Sequence, residues 1–255
     1  VERWREYCAS LEAPCTPPLP DTTLRKLPEM PAQNRKLVAV GDPHGDYKPL
    51  LKACHEHQPE AVILLGDCDL ERPLREELAP VFAAGIRVLW IHGNHDADRP
   101  HWHANLFDSH PEGSLHARWQ QVGGLIIGGL GGVFRESVWY PRDDADAEPV
   151  RRTRLEFLRQ LSKPSRWKGG IPMKHHATIF PEDFEKLRRF RLDVLVTHEA
   201  PTTHKHGFAA LDKLARETRA KLLIHGHHHY SYEAELPKGT RVRGLGKAEP
   251  WVIEL

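Results

Sequence analysis

Three short apolar runs, each closed by a glycine and a polar side chain, constrain this chain more than any other feature. Leu37–Val40 runs into Gly41-Asp42, Ala61–Leu65 into Gly66-Asp67, and Val88–Ile91 toward Gly93-Asn94. Between the first two runs, Tyr47, Leu50, Leu51 and Cys54 recur with the period of a helix over 47–57. Between the second and third, Leu74, Leu78, Val81 and Phe82 predict another. The order is β-α-β-α-β. Strands that alternate with helices pair in parallel and are covered on both faces, so they read as unbroken apolar runs. Open α/β sheets place their binding sites beyond the carboxyl ends of the strands, where the loops converge. Here three successive strand ends carry Asp, Asp and Asn-His.

The rhythm is interrupted and then resumes. Residues 97–190 are irregular: Gly124–Phe134 reads as strand and turn, 142–154 as an acidic-basic loop, and 181–190 as a helix. Val194–Thr197 then predicts a strand, Phe208, Leu211 and Leu214 a helix, and Lys221–Ile224 a further strand. Short strands near 229–234, 240–244 and 251–254 complete the chain. Residues 1–35 carry Pro14, Pro17, Pro18, Pro20, Pro28 and Pro31. Proline lacks a backbone donor and cannot continue a helix. This stretch therefore reads as a Pro-rich N-terminal arm after a short helix at 2–12, or as a linker from an upstream region. The chain begins at Val1, so an earlier start is expected. The expected organisation is an arm over 1–35 and one α/β domain over 36–255, with 97–190 as an irregular insertion shaping the substrate site.

Composition narrows the class. A chain of 255 residues can bury a real core, and 40% hydrophobic with 28% charged residues suits a soluble globular protein. A net charge of +1 creates no global field toward nucleic acid or membrane. No apolar run approaches the ~18 residues of a membrane span, and no signal peptide is evident. The four cysteines, Cys8, Cys15, Cys54 and Cys68, have no CxxC spacing and read as free thiols of a reducing compartment. A cytoplasmic location without membrane association is the expectation. The outlier is 18 histidines.

Those histidines cluster where the strands end. The five polar clusters are Asp42-Pro43-His44, Gly66-Asp67, Gly93-Asn94-His95-Asp96, His198, and Gly226-His227-His228-His229. Asp42 and His44 alternate, as do His227 and His229, so each pair can point one way from an extended loop. Carboxylate oxygen with imidazole nitrogen suits Mn, Fe, Zn or Ni better than Ca or Mg. Taken singly, each cluster is more simply a turn, a helix cap or a surface histidine. Five in order, each after a strand, point to a metal centre.

In this order the clusters resemble the calcineurin-like metallophosphoesterase superfamily: D-x-H, G-D, G-N-H-D/E, H, and G-H-x-H. The resemblance runs from Lys36 to Leu255. It implies an α/β fold with a central β-sandwich flanked by helices and a site at the strand C-terminal ends, with the late short strands supplying the second sheet. It further implies that Asp42, His44 and His229 hold one metal, that Asn94, His198 and His227 hold the other, and that Asp67 bridges both. His95 would then face the substrate, with Asp96 orienting it. His225 and His228 fall off the alternating positions and are expected in supporting or surface roles. One departure concerns the phosphate clamp. Many relatives carry Asp three residues after the bridging Asp and then Arg, whereas this chain has Leu70 and Glu71, with Asp69 and Arg72 out of register.

The implied cofactor is two divalent transition metal ions, manganese first among Mn, Fe, Zn and Ni. The implied reaction is hydrolysis of a phosphate ester by a hydroxide bridging the metals, with His95 protonating the leaving oxygen. The layout of Gly124–Phe134, Met173–Phe190 and Thr197-His198-Glu199-Ala200-Pro201 is similar to that of RNA lariat-debranching enzymes. A phosphodiester, in a nucleotide or nucleic acid, is therefore the expected substrate. A phosphomonoesterase, a protein phosphatase or a non-catalytic metal-binding scaffold are the alternatives. Arg72, Arg135, Arg151, Arg152 and Arg154 are candidate substrate-binding residues, joined by Arg142 and Lys174 on the same loops.

Overall fold

The computed structural model describes residues 36–254. The Pro-rich arm, the helix expected at 2–12, Cys8 and Cys15 lie outside the described residues. The first sheet has the order β10-β1-β2-β3. Strands β1 (Lys36–Val40), β2 (Ala61–Leu64) and β3 (Arg87–Trp90) are parallel, with Leu37 opposite Ala61 and Ala61 opposite Arg87. The second sheet has the order β4-β5-β6-β7-β9-β8. It is built from β4 (Arg118–Val122), β5 (Leu125–Leu130), β6 (Val194–Thr197), β7 (Leu222–His225), β8 (Tyr232–Glu235) and β9 (Arg241–Gly244).

Period-two alternation divides each strand's side chains between two cores. Leu37, Ala39, Ile63 and Leu89 of the first sheet meet Ile127, Val194, Val196 and Ile224 of the second in a shared inner core. Val38, Val40, Val62, Leu64 and Trp90 face outward, onto Leu50, Ala53 and Cys54 of helix α1 (Lys48–His57). Leu195 and Leu223 face the opposite way, onto the outer helices of the second sheet. The result is a sandwich with helices on both outer faces.

Three expectations are corrected. The second sheet is not made by the late strands alone: β5, β6 and β7 are its parallel heart. The last strand, β10 (Pro250–Glu254), returns to the first sheet and pairs antiparallel with β1, Ala39 opposite Trp251. The helix read through 74–82 is two short ones, α2 (Leu74–Glu77) and α3 (Ala79–Ala83). Pro80 sits in the first turn of α3, and its missing N–H and its ring interrupt the helical ladder. Within 97–190, β4 and β5 belong to the second sheet. β4 escaped the sequence reading because only Val122 of its five residues is buried.

A further helix, α4 (Arg154–Gln160), also went unread, although Thr153-x-x-Glu156 carries its signature. Thr153 Oγ1 accepts from the Glu156 amide at 3.0 Å. Helices α5 (Pro181–Leu187) and α6 (Ala209–Thr218) cover the outer face of the second sheet through Phe184, Leu187, Leu211 and Leu214. Among the described residues, no helix is long and apolar enough to cross a membrane. Cys54 and Cys68 are buried free thiols.

Candidate metal centre at the strand ends

The candidate ligands all lie in the loops just past strand ends, and five of the seven stand on backbone that most side chains avoid. Asp42, His44, Asp67, His227 and His229 have φ of +39°, +44°, +50°, +70° and +51°. A non-glycine residue at positive φ is uncommon, and such strain gathers at functional sites. It turns each side chain sharply off its strand axis toward a common centre. Two glycines make room for this. A Cβ at Gly93 would overlap Asp67 Oδ1, and one at Gly226 would lie 2.8 Å from both carboxylate oxygens of Asp42.

The cluster is dense in acceptors. Asp42 is fully buried, and its Oδ2 accepts the His227 amide at 2.7 Å. Its Oδ1 has no hydrogen-bond partner among the described residues. The nearest candidate donor, His198 Nδ1 at 3.5 Å, gives its proton to the Leu65 carbonyl at 2.7 Å. That bond leaves His198 Nε2 facing Asn94 Oδ1 at 3.1 Å and Asp67 Oδ2 at 3.4 Å. Asp67 Oδ2 is also 3.9 Å from His44 Nε2, while Asp67 Oδ1 accepts the His95 amide at 2.8 Å. His44 Nε2 in turn faces His229 Nε2 at 3.1 Å. The Asp67 carboxylate thus lies between two groups of imidazoles. Asp67, His198 and His227 also converge closely enough to share one ion, as do Glu199, His227 and His228.

Burial and the neighbouring charges set the protonation of these groups. Burial pushes Asp42 up to about 6, against the pull of His198. Burial would lower His198, but the Asp67 and Asp42 carboxylates outweigh it and lift His198 to about 10. Burial would raise Asp67, but His198 holds it well below the usual carboxylate range. Burial takes His227 down to about 3, so its imidazole is a neutral lone-pair donor. The site demands positive charge at its centre. An orphaned buried carboxylate oxygen and the neutral His227 imidazole beside it fit a divalent cation.

Three supporting carboxylates were misread or missed. Asp96, expected to orient His95, instead accepts the amides of Gly93, Asp67 and Cys68 at 2.7, 3.0 and 2.8 Å, tying two strand ends together. At the start of a short 3-10 turn, its short side chain reaches these buried donors rather than the exposed His95 ring. Asp98 holds that ring, its Oδ2 lying 2.7 Å from His95 Nδ1. Burial alone would lower His95, but the Asp98 hydrogen bond, with Asp67, Asp98 and Asp69 nearby, raises it above its ordinary value. Asp69, passed over as out of register, holds His44 Nδ1 at 2.8 Å and so turns Nε2 inward. A carboxylate on the far nitrogen is a common support for a metal-binding histidine. The signal was a second Asp two residues beyond Asp67.

The arginines divide differently. Arg135 lines a cavity of about 400 Å³ together with Asn94, Arg142, Glu199 and His227. Its Nε donates to Thr178 Oγ1 at 3.0 Å. Arg72 pairs with Glu77 at 3.0 Å. Arg151 donates to Gln160 Oε1 and the Ser137 carbonyl and lies over the Phe157 ring. Arg152 pairs with Glu148 at 2.7 Å. Arg154 forks onto both oxygens of buried Asp183, at 2.7 and 2.8 Å, and reaches Glu182. His225, Tyr232 and Thr203 form a chain: the Tyr232 hydroxyl is 2.8 Å from His225 Nε2 and 3.0 Å from Thr203 Oγ1.

Comparison with known proteins places this geometry. Residues 35–231 match the family described as calcineurin-like phosphoesterase. An uncharacterized protein of Haemophilus influenzae is 35% identical over 219 residues, spanning 84% of this chain and 94% of that one. The crystal structure of TT1561 from Thermus thermophilus has a similar fold, with a TM-score of 0.52 at 13% identity. That match covers 87% of this chain and 99% of the other.

Proposed function

This chain belongs to the calcineurin-like phosphoesterase family, a family of metal-dependent hydrolases, and from that premise we propose that it is a binuclear phosphodiesterase. One observation carries the reading. Asp67 lies between an imidazole pair whose nitrogens are 3.1 Å apart, His44 with His229, and the His198–Asn94 pair. In this reading Asp42, His44 and His229 would hold one ion, Asn94, His198 and His227 the other, and Asp67 would serve both. Manganese is the first ion to try. When bound, the two ions supply the charge that activates a water and offsets the negative charge growing on the phosphoryl oxygens.

The chain's own residues do the rest. Asp69 and the Leu65 carbonyl engage Nδ1 of His44 and of His198, so that Nε2 of each is the nitrogen left to face an ion. Asp98 occupies His95 Nδ1, which leaves Nε2 to give a proton to the departing oxygen. The raised pKa of His95 extends its acid form to higher pH. Arg135 presents a planar fork beside Asn94 and His227, suited to a phosphoryl oxygen that does not react. Support for a diester comes from that cavity, which extends past the cluster, and from Arg72, whose guanidinium is engaged by Glu77.

The test is hydrolysis of bis(p-nitrophenyl) phosphate against p-nitrophenyl phosphate, with and without Mn²⁺, alongside elemental analysis. The expected result is two ions per chain and a higher kcat/KM for the diester. A single ion per chain overturns the binuclear assignment, and a preference for the monoester overturns the substrate class.

A further inference from the structure

Beside the Asp67 cluster lies a second cavity, of about 600 Å³, that the proposed chemistry does not use. Its walls are rings: His204, His206, His228, Tyr230 and Tyr232, with Lys205 at the edge. The rings form a connected series leading away from the metal centre. His228 is 4.7 Å from His227 between ring centroids, and His204 stacks on His228 at 4.0 Å and 20°. Tyr230 and Tyr232 stack at 6.0 Å and 25°. His206 and His228 line both this cavity and the one that holds Arg135, so the two adjoin.

The walls are built. Tyr232 is fixed by hydrogen bonds to Thr203 and to buried His225, and the His204 imidazole Nδ1 accepts the His206 amide at 3.3 Å. Tyr230, by contrast, is 62% exposed, a large aromatic face left to solvent beside a reaction centre. His228 Nε2 is buried and has no hydrogen-bond partner among the described residues. Flat π-faces with unspent polar edges match a ligand that is itself flat, aromatic and polar at its rim. A nucleobase meets that description, and base–aromatic stacking tolerates any sequence.

We propose that this cavity is a nucleobase subsite: the substrate is a nucleotide ester whose base stacks among His204, His228 and Tyr230 while its phosphate lies over the Asp67 cluster. The proposal rests on the phosphodiesterase reading and adds the identity of the group beside the scissile phosphate. Both a free nucleotide ester and a nucleic acid end carry that group.

The experiment compares two diesters with one leaving group, thymidine 5′-(p-nitrophenyl phosphate) and methyl p-nitrophenyl phosphate, on the Mn²⁺-loaded protein. Stacking of one base is worth ~1–3 kcal/mol, which corresponds to a KM roughly 5- to 150-fold lower for the thymidine ester. Tyr230→Ala should erase most of that ratio, Tyr230→Phe should keep it, and His204→Ala should reduce it from the other wall. Equal KM values for the two esters in the wild type, or a ratio untouched by Tyr230→Ala and His204→Ala, overturns the subsite while the phosphodiesterase reading stands. If neither ester is hydrolysed, that reading fails instead. Calorimetric binding of thymidine 5′-monophosphate then decides the subsite: about tenfold weaker binding to Tyr230→Ala sustains it, and equal binding removes it. Tighter competition by oligothymidylate than by thymidine 5′-monophosphate assigns the base to a strand end, and the reverse assigns it to a free nucleotide.

Discussion

The strand-end cluster and the arginine-bearing segment around 135–154 are both rich in charge, yet they are wired in opposite senses. Arg152 and Arg154 give their protons to carboxylates of the same chain, and Arg151 to a side-chain amide and a carbonyl. Their hydrogen bonding closes within the protein. At the strand ends Asp42 Oδ1 has no hydrogen-bond partner among the described residues, and His44 and His229 meet nitrogen to nitrogen at 3.1 Å. Burying polar groups without partners is costly unless something from outside completes them. Charge density alone therefore does not mark a site. What marks it is charge whose partners the fold has not supplied.

This contrast is most open to attack at Asp67, the carboxylate between the two imidazole groups. Asp67→Asn removes the charge that both ion positions share. It should abolish reconstitution of the full metal complement and lower kcat by more than the ~10²–10⁴-fold typical of losing a general acid. Elemental analysis reads the first effect and turnover of bis(p-nitrophenyl) phosphate the second. Two tightly bound ions in this variant would undo the bridging role.

Next comes His95, which sits at the cluster but is assigned no ion. His95→Ala should keep its metals and lose ~10²–10⁴-fold on an alkyl ester, with a smaller loss on a nitrophenyl ester, whose leaving group needs no proton. The pH profile gives an independent reading. Asp98 helps to raise His95, so the acid form survives to higher pH, and turnover of the alkyl ester should fall as pH rises through that raised pKa. Asp98→Asn should move this alkaline limb to lower pH. An unmoved limb would assign it to another group.

Asp69 tests whether support for a ligand matters as the ligand does. Asp69→Asn leaves every candidate ligand in place but weakens the hold on His44 Nδ1. Affinity for metal should fall roughly 10- to 100-fold, read by titration with a competing chelator.

On the arginine side the effects move from chemistry to stability, and they shrink. Arg154→Ala takes the guanidinium from the buried Asp183 carboxylate and leaves it the Phe180 amide and His116. Removing one partner of a buried pair costs ~3–5 kcal/mol, here toward the lower end because 31% of the Arg154 side chain meets solvent. Urea unfolding measures the loss. Arg152→Ala, whose pair with Glu148 is exposed, should stay within ~0.5 kcal/mol of the wild type. A tenfold loss of kcat/KM in Arg152→Ala would return that residue to the substrate path.

Much of this was legible because parallel strands write themselves plainly. Buried on both faces, β1, β2, β3 and β6 appear as apolar runs, and their ends locate Asp42, Asp67, Asn94 and His198. Edge strands do not. β4 exposes most of its residues and reads as loop, although Arg118 pairs with Gly129 of β5. Among the site residues, the order of the motifs named the candidate ligands, but the family resemblance assigned Asp96 to His95, which Asp98 holds instead. Residues 95 and 96 are neighbours in sequence, while the 3-10 turn over His95–Ala97 brings residue 98 beneath the ring.

The alternation of strands and helices, the polar residues at the strand ends and the order in which they occur were all present in the amino-acid sequence, because they depend on local periodicity and residue type. Other outcomes came from tertiary structure alone: which sheet each strand joins, that β10 returns to β1, that Asp69 and not a residue in register supports His44, and which arginines are engaged by the protein's own carboxylates. Those outcomes depend on contacts between residues far apart in the chain, such as His44 with His229 and Arg154 with Asp183. Local pattern carries no record of such pairings, since it is the packing of the two sheets that brings their ends together.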